Sequence, residues 1–126
     1  MTNIPMTTLN AIAQAIYDKK GSNILALDVR GISSLTDYVI IAEGNVDRHL
    51  IAILYAIKEK LHKAGLSPMY VEGERSGDWI VADYGEIVIH LFQTEYREKY
   101  ALENLWRKAG IIDLEIVTQP SLASRK

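Results

Sequence analysis

Asp83, Glu86 and His90 are the side chains in this chain best placed to do chemistry: two carboxylates three residues apart, then a histidine. Such a set can hold a divalent cation, move a proton, or meet a basic partner. Residues 79–83 and 86–92 alternate as two strands, and a two-residue turn at Tyr84 and Gly85 would make them a hairpin. Asp83 then faces Glu86, Val81 faces Val88 and Trp79 faces His90, while Ile80, Ala82, Ile87 and Ile89 share the other face. Tyr84 stands at the apex. Two like charges opposite each other repel unless solvent, a cation or a basic surface relieves them. A metal site, a docking rim and a plain solvated hairpin end all fit that pattern. Trp79 is equally at home in a core and at an interface.

The remaining candidates for catalysis are weaker. His49 and His62 are thirteen positions apart on one long helical segment, and no His-Glu-x-x-His pattern occurs. Ser33, Ser34 and Ser76 lack the flanking glycines that hold a nucleophile on a strained turn. Gly73, Gly77 and Gly85 are scattered, with neither a Walker loop nor a Gly-x-Gly-x-x-Gly turn. Gly44-Asn45 is a helix start that could take an anion, but capping by Asn45 with Asp47 in the first turn explains it structurally. Cysteine is absent, which excludes disulfides and thiolate chemistry. The sequence therefore calls for no cofactor and no resident metal.

The elements that position these residues follow from periodicity. Leu9, Ile12, Ala13, Ile16 and Tyr17 have helical spacing, with Thr7 or Thr8 to cap and Gly21 to terminate. Residues 24–29 and 38–42 are short apolar runs suited to buried strands. His49, Leu50, Ile53, Leu54, Ile57 and Leu61 line one face of a second helix between Asn45 and Gly65. Residues 69–71 read as a third strand, ahead of the hairpin. Thr94 opens a third helix expected to run to about Lys108, with Tyr96, Tyr100, Leu102, Leu105 and Trp106 spread around much of its circumference. On that helix Arg97 can reach Glu72, Glu74 or Asp83. The order predicts an α/β domain, a mixed sheet of about five strands flanked by helices, over residues 1–110. Residues 111–126 form a C-terminal tail, partly mobile towards residues 121–126.

With 126 residues, 48% of them apolar, the chain suits one core. The formal net charge of −2 argues against unspecific nucleic-acid binding through a broad basic surface. No apolar stretch approaches the roughly twenty residues that cross a bilayer, and residues 1–8 resemble no targeting segment. A cytoplasmic protein is expected.

Several segments taken together resemble one family. Leu27-Asp28-Val29, Ser33-Ser34 with Thr36-Asp37-Tyr38, Glu72-Gly73 before Asp78-Trp79-Ile80-Val81, the run from Asp83 to His90, and Arg97 with Tyr100, Leu102, Glu103, Leu105 and Trp106 resemble the ribosomal silencing factors, or Iojap-like proteins, in order and spacing. The resemblance implies a nucleotidyltransferase-like fold, often dimeric. It also implies binding to the large ribosomal subunit through large-subunit ribosomal protein number fourteen, steric blocking of subunit association, and repression of translation when nutrients run low, without catalysis. The partner-binding residues it implies are Trp79, Asp83, Tyr84, Glu86, Val88 and His90, with acids suited to a basic ribosomal protein. No membrane and no sequence-specific nucleic acid enters this expectation. Two other readings stay open: a metal-dependent nucleotidyltransferase-like enzyme using Asp83, Glu86 and Asp28, and a structural domain whose hairpin face forms a homodimer.

Overall fold

The computed structural model describes residues 4–118 of the chain. One open, mixed sheet organises the fold. The elements are α1 (Met6–Asp18), β1 (Ser22–Asp28), β2 (Tyr38–Gly44), α2 (Asp47–Lys63), β3 (Tyr70–Glu72), β4 (Trp79–Asp83), β5 (Ile87–Gln93), α3 (Thr94–Tyr100), a 3-10 turn (Leu102–Trp106) and β6 (Gly110–Ile111). The strands lie in the order β3-β4-β5-β2-β1-β6, one more than expected, because Gly110–Ile111 pairs with Leu27 and Asp28. Only β2 and β5 run parallel; every other pair is antiparallel. A parallel pair needs a long crossover, which α2 and the β3–β4 hairpin supply. All seven residues of β2 are buried, as a central strand demands.

Helices α1 and α2 cover one face. Leu9, Ile12 and Ile16 of α1 and Leu50, Ile53, Leu54, Ile57 and Leu61 of α2 pack there against Ile40, Ala42, Ile80, Ala82, Ile87, Ile89 and Leu91. The opposite face carries a smaller cluster of Leu27, Val29, Val39, Ile41, Phe92 and Leu102. Among the described residues its cover comes from α3, the 3-10 turn and Ala109. None of the described helices is long and apolar enough to cross a membrane.

The helix ends differ from the sequence expectation in instructive ways. Neither threonine caps α1: Pro5 precedes the helix, and its carbonyl accepts the Thr8 N–H. Proline needs no donor partner there. At the other end Lys20, not Gly21, takes the left-handed backbone position (φ 69°). Gly21 is required for closeness instead, since a Cβ would lie 2.4 Å from Ile16 Cγ2. Asn45 does not cap α2. Its N–H donates to His49 Nδ1 at 2.9 Å, while His49 Nε2 lies 2.6 Å from the Lys19 carbonyl, so one imidazole ties the start of α2 to the end of α1.

Helix α3 stops eight residues before Lys108. Ala101 turns left-handed (φ 45°, ψ 45°), and the chain continues as the 3-10 turn. Six residues of continuous α-helix rotate a side chain by about 240°, so Tyr100 and Trp106 would have pointed apart. The break lets both reach the same sheet face, which explains why aromatic residues seem to circle the helix in the sequence. Arg97 does not meet Glu72, Glu74 or Asp83, because α3 lies over β5 and β2 instead of the outer hairpin. It pairs with Glu43 at 3.2 Å and also donates to the Asn23 carbonyl.

Residues 111–118 are strapped across the helical side. Ile112 N–H donates to the Ala26 carbonyl, and Ile112 and Leu114 pack on the core. Gln14 brackets Val117, accepting its N–H at 2.7 Å and donating to its carbonyl at 3.0 Å, while Asn10 accepts the Glu115 N–H at 2.9 Å. Residues 121–126, expected to be mobile, lie outside the described residues.

Candidate functional site

The β4–β5 hairpin forms, but its turn is one residue further along. Tyr84 N–H donates to the Ile87 carbonyl, Asp83 pairs with Val88, Val81 with His90 and Trp79 with Phe92. Gly85 and Glu86 therefore occupy the turn. The reason is backbone conformation: Gly85 has φ 85°, a value that glycine adopts freely and tyrosine resists. Sliding the partners by two residues leaves the two faces as the alternation assigns them. It does, however, separate Asp83 from Glu86 as a directly opposed pair, which corrects the expected register.

That shift divides the six expected contact residues. Trp79, Asp83, Val88 and His90 share the face away from α1 and α2, with Glu86 at the turn beside them. Tyr84 falls in phase with Ile80 and Ala82, so it packs half-buried against the helix-covered core. Its hydroxyl is buried and meets no hydrogen-bond partner among the described residues, and desolvation raises the phenol above its ordinary range. Tyr84 braces the turn from behind and does not stand at its apex.

An aromatic wall backs the other face. The Trp79 indole is 5.1 Å from the Phe92 ring and 4.8 Å from Tyr100, and His90 is 6.2 Å from Trp106, all centroid to centroid. Trp79 Nε1–H donates to His90 Nδ1 at 3.1 Å. The indole nitrogen can only donate, so His90 must be neutral with Nδ1 unprotonated. Its burial agrees: at 8% exposure, desolvation pushes the imidazole down to about 4, with the Asp83 charge opposing the shift. His90 is thus a fixed acceptor that orients Trp79.

Beyond this wall the helical cover ends. Val81, Asp83 and Val88 are partly exposed, and Tyr70, paired with Asp83 on the edge strand, is 49% exposed. Glu72 sits opposite Val81 on the same face. The result is a partly exposed patch in which apolar and acidic side chains alternate: Asp83 stands between Tyr70 and Val88 in one cross-strand row, Glu72 lies beside Val81 in the next, and Glu86 is at the turn. The Asp83 carboxylate raises the neighbouring Tyr70 phenol, and it accepts the Gly85 N–H at 2.7 Å. Tyr70 was not singled out from sequence, and Glu72 was read there only as a reach for Arg97 and as part of a motif. Their signal was the alternation of residues 70–72, too short to give a face until pairing with β4 supplied one.

The residues of the enzyme reading are not assembled. Asp28 lies on the face opposite to Asp83, with β5 and β2 between their strands, a spacing of roughly 14 Å. Its carboxylate is engaged by Arg30 through two side-chain bonds of 2.9 and 2.6 Å, which hold it below the ordinary carboxylate range. Among the described residues no group of three or more His, Asp and Glu side chains converges to hold a metal.

Comparison with known proteins places this geometry. The family described as "Ribosomal silencing factor during starvation" matches residues 2–126. Ribosomal silencing factor RsfS of Bacillus subtilis is 38% identical over 107 residues, which are 85% of this chain and 91% of the relative. "Mitochondrial assembly of ribosomal large subunit protein 1" of Mus musculus is 35% identical over 101 residues, 78% of this chain and 44% of that protein. The crystal structure of a Chromobacterium violaceum protein superposes with a TM-score of 0.78 at 27% identity, covering 97% of this chain and 98% of the other. A match along nearly the whole sequence, on the same mixed α/β fold, means that this chain belongs to the ribosomal silencing factor family.

Proposed function

We propose that this protein binds the large ribosomal subunit through the open sheet face around Val88, and that large-subunit ribosomal protein number fourteen is its partner. Bound there, it blocks the approach of the small subunit by occupying space and so represses translation, most of all under nutrient limitation. No bond is made or broken. The observation that carries this reading is the partly exposed patch in which Val81, Val88 and Tyr70 alternate with Glu72 and Asp83, backed by aromatic packing. Interfaces concentrate their binding energy in a few apolar and aromatic anchors, and acids set among them favour a basic partner. Family membership and a mouse relative named for assembly of the ribosomal large subunit support the choice of subunit.

In this reading Val88 and Asp83 make the contact, Glu86 lies at its edge, Trp79 and His90 keep the floor flat, and Tyr84 supports the turn. Val88→Arg and Asp83→Arg are suited to the test, since both side chains are partly exposed and neither supports the core. Each should weaken co-sedimentation with purified large subunits by about tenfold or more, as loss of a hot spot does, and should restore subunit joining in gradients. Wild-type binding by both variants would remove this face from the interface.

A further inference from the structure

The open face changes charge sign along its length. At the hairpin end stand Glu72, Asp83 and Glu86; at the 3-10 end stand Arg107 and Lys108, both exposed. The two cations flank a hollow of about 210 Å³ lined by Ile32, Asn104, Trp106, Arg107 and Lys108. Trp106 is only partly covered, and its ring abuts His90, so the hollow continues the aromatic wall of the proposed docking face. Among the described residues no carboxylate pairs with Arg107 or Lys108. Arg30 on the neighbouring loop is spent on Asp28.

One basic protein cannot suit both ends. A surface that complements the acidic hairpin end repels Arg107 and Lys108, so the partner must turn negative at the 3-10 end. A partly open indole, an amide and two cations around a small hollow make the chemistry of a nucleotide contact, with the ring available for stacking and the cations for phosphates. Building on the large-subunit reading above, we infer that the Trp106–Lys108 corner contacts ribosomal RNA beside the protein partner, through phosphates and without reading sequence. The mild overall negative charge is compatible with this, because the contact is local.

The test measures binding of the protein to purified large subunits between about 50 and 300 mM potassium chloride, where phosphate contacts set the salt dependence. Replacing both cations, Arg107→Ala with Lys108→Ala, should reduce the slope of log affinity against log salt by about 1.4 to 1.8, at roughly 0.7 to 0.9 per phosphate. Lys60→Ala with Lys63→Ala, on α2 across the sheet, should leave the slope unchanged. Ultraviolet cross-linking of the wild-type complex should place an RNA adduct at Trp106. An unchanged slope with normal wild-type binding overturns the RNA contact and leaves the docking reading intact. A reduced slope with adducts to protein alone overturns it in favour of an acidic protein segment. Failure of the wild type to bind the subunit overturns both.

Discussion

Mild acidification should loosen this protein, and His90 should account for much of the effect. Its imidazole is 8% exposed, and its ring nitrogen Nδ1 accepts the Trp79 indole N–H. Folding lowers its pKa from 6.5 to about 4. A histidine held neutral in the fold contributes stability that is fully present above pH 6.5, the value for the unfolded chain, and is lost as pH falls towards 4, because the unfolded chain takes up the proton first. One pKa unit corresponds to about 1.4 kcal/mol, so the whole contribution is about 3 kcal/mol, of which about 2 kcal/mol should be gone between pH 7.5 and pH 5. Asp28 does not confuse this window: its pKa is lowered from 3.8 by Arg30, so its contribution is lost only under more acidic conditions. The comparison is with His90→Gln, which keeps an oxygen acceptor for Trp79 but does not titrate. Urea unfolding followed by circular dichroism at pH 7.5, 6 and 5 should show the wild type losing about 2 kcal/mol more than the variant. Parallel pH profiles for the two proteins would refute the argument, since they would mean that His90 is protonated equally easily in both states.

Three further outcomes follow from particular contacts. Arg97→Leu removes the cation from a pair whose side chains are only 11% and 9% exposed, leaving Glu43 with the Asn23 amide as its remaining side-chain partner; unfolding free energy should fall by about 3 to 5 kcal/mol. Tyr84→Phe deletes a buried hydroxyl without a partner among the described residues, so stability should stay level or rise by up to about 1 kcal/mol in the same assay, and a clear loss would show that the hydroxyl is bonded in solution. Gln14→Ala removes both side-chain bonds to Val117, so hydrogen exchange across residues 112–117 should speed up while α1 itself stays protected.

Much of the architecture was legible because its signals are local and periodic. The apolar spacings of residues 9–16 and 50–61 could only bury one helix face each. The alternation along β4 and β5 set Trp79, Val81, Val88 and His90 on one face and Ile80, Ala82, Ile87 and Ile89 on the other even though the turn slid by one residue, which moved only Tyr84 from the apex to the core side. The absence of nucleophile elbows and phosphate loops was equally a matter of reading residues, as was the family, whose spaced motifs survive along the chain. Contacts between distant segments were not legible, because no local pattern encodes which strand lies beside which. Strand order alone put Asp28 away from Asp83, gave Arg97 to Glu43, and set Tyr70 on the edge strand beside Asp83. The break at Ala101 is likewise tertiary: helical preference favours continuing through residues 101–106, but setting Tyr100 against Trp79 and Trp106 against His90 on one sheet face requires the chain to stop and turn. Composition and period thus determined which residues would be inside and which segments would pair with something, while packing decided their neighbours, and a docking face is a property of neighbours.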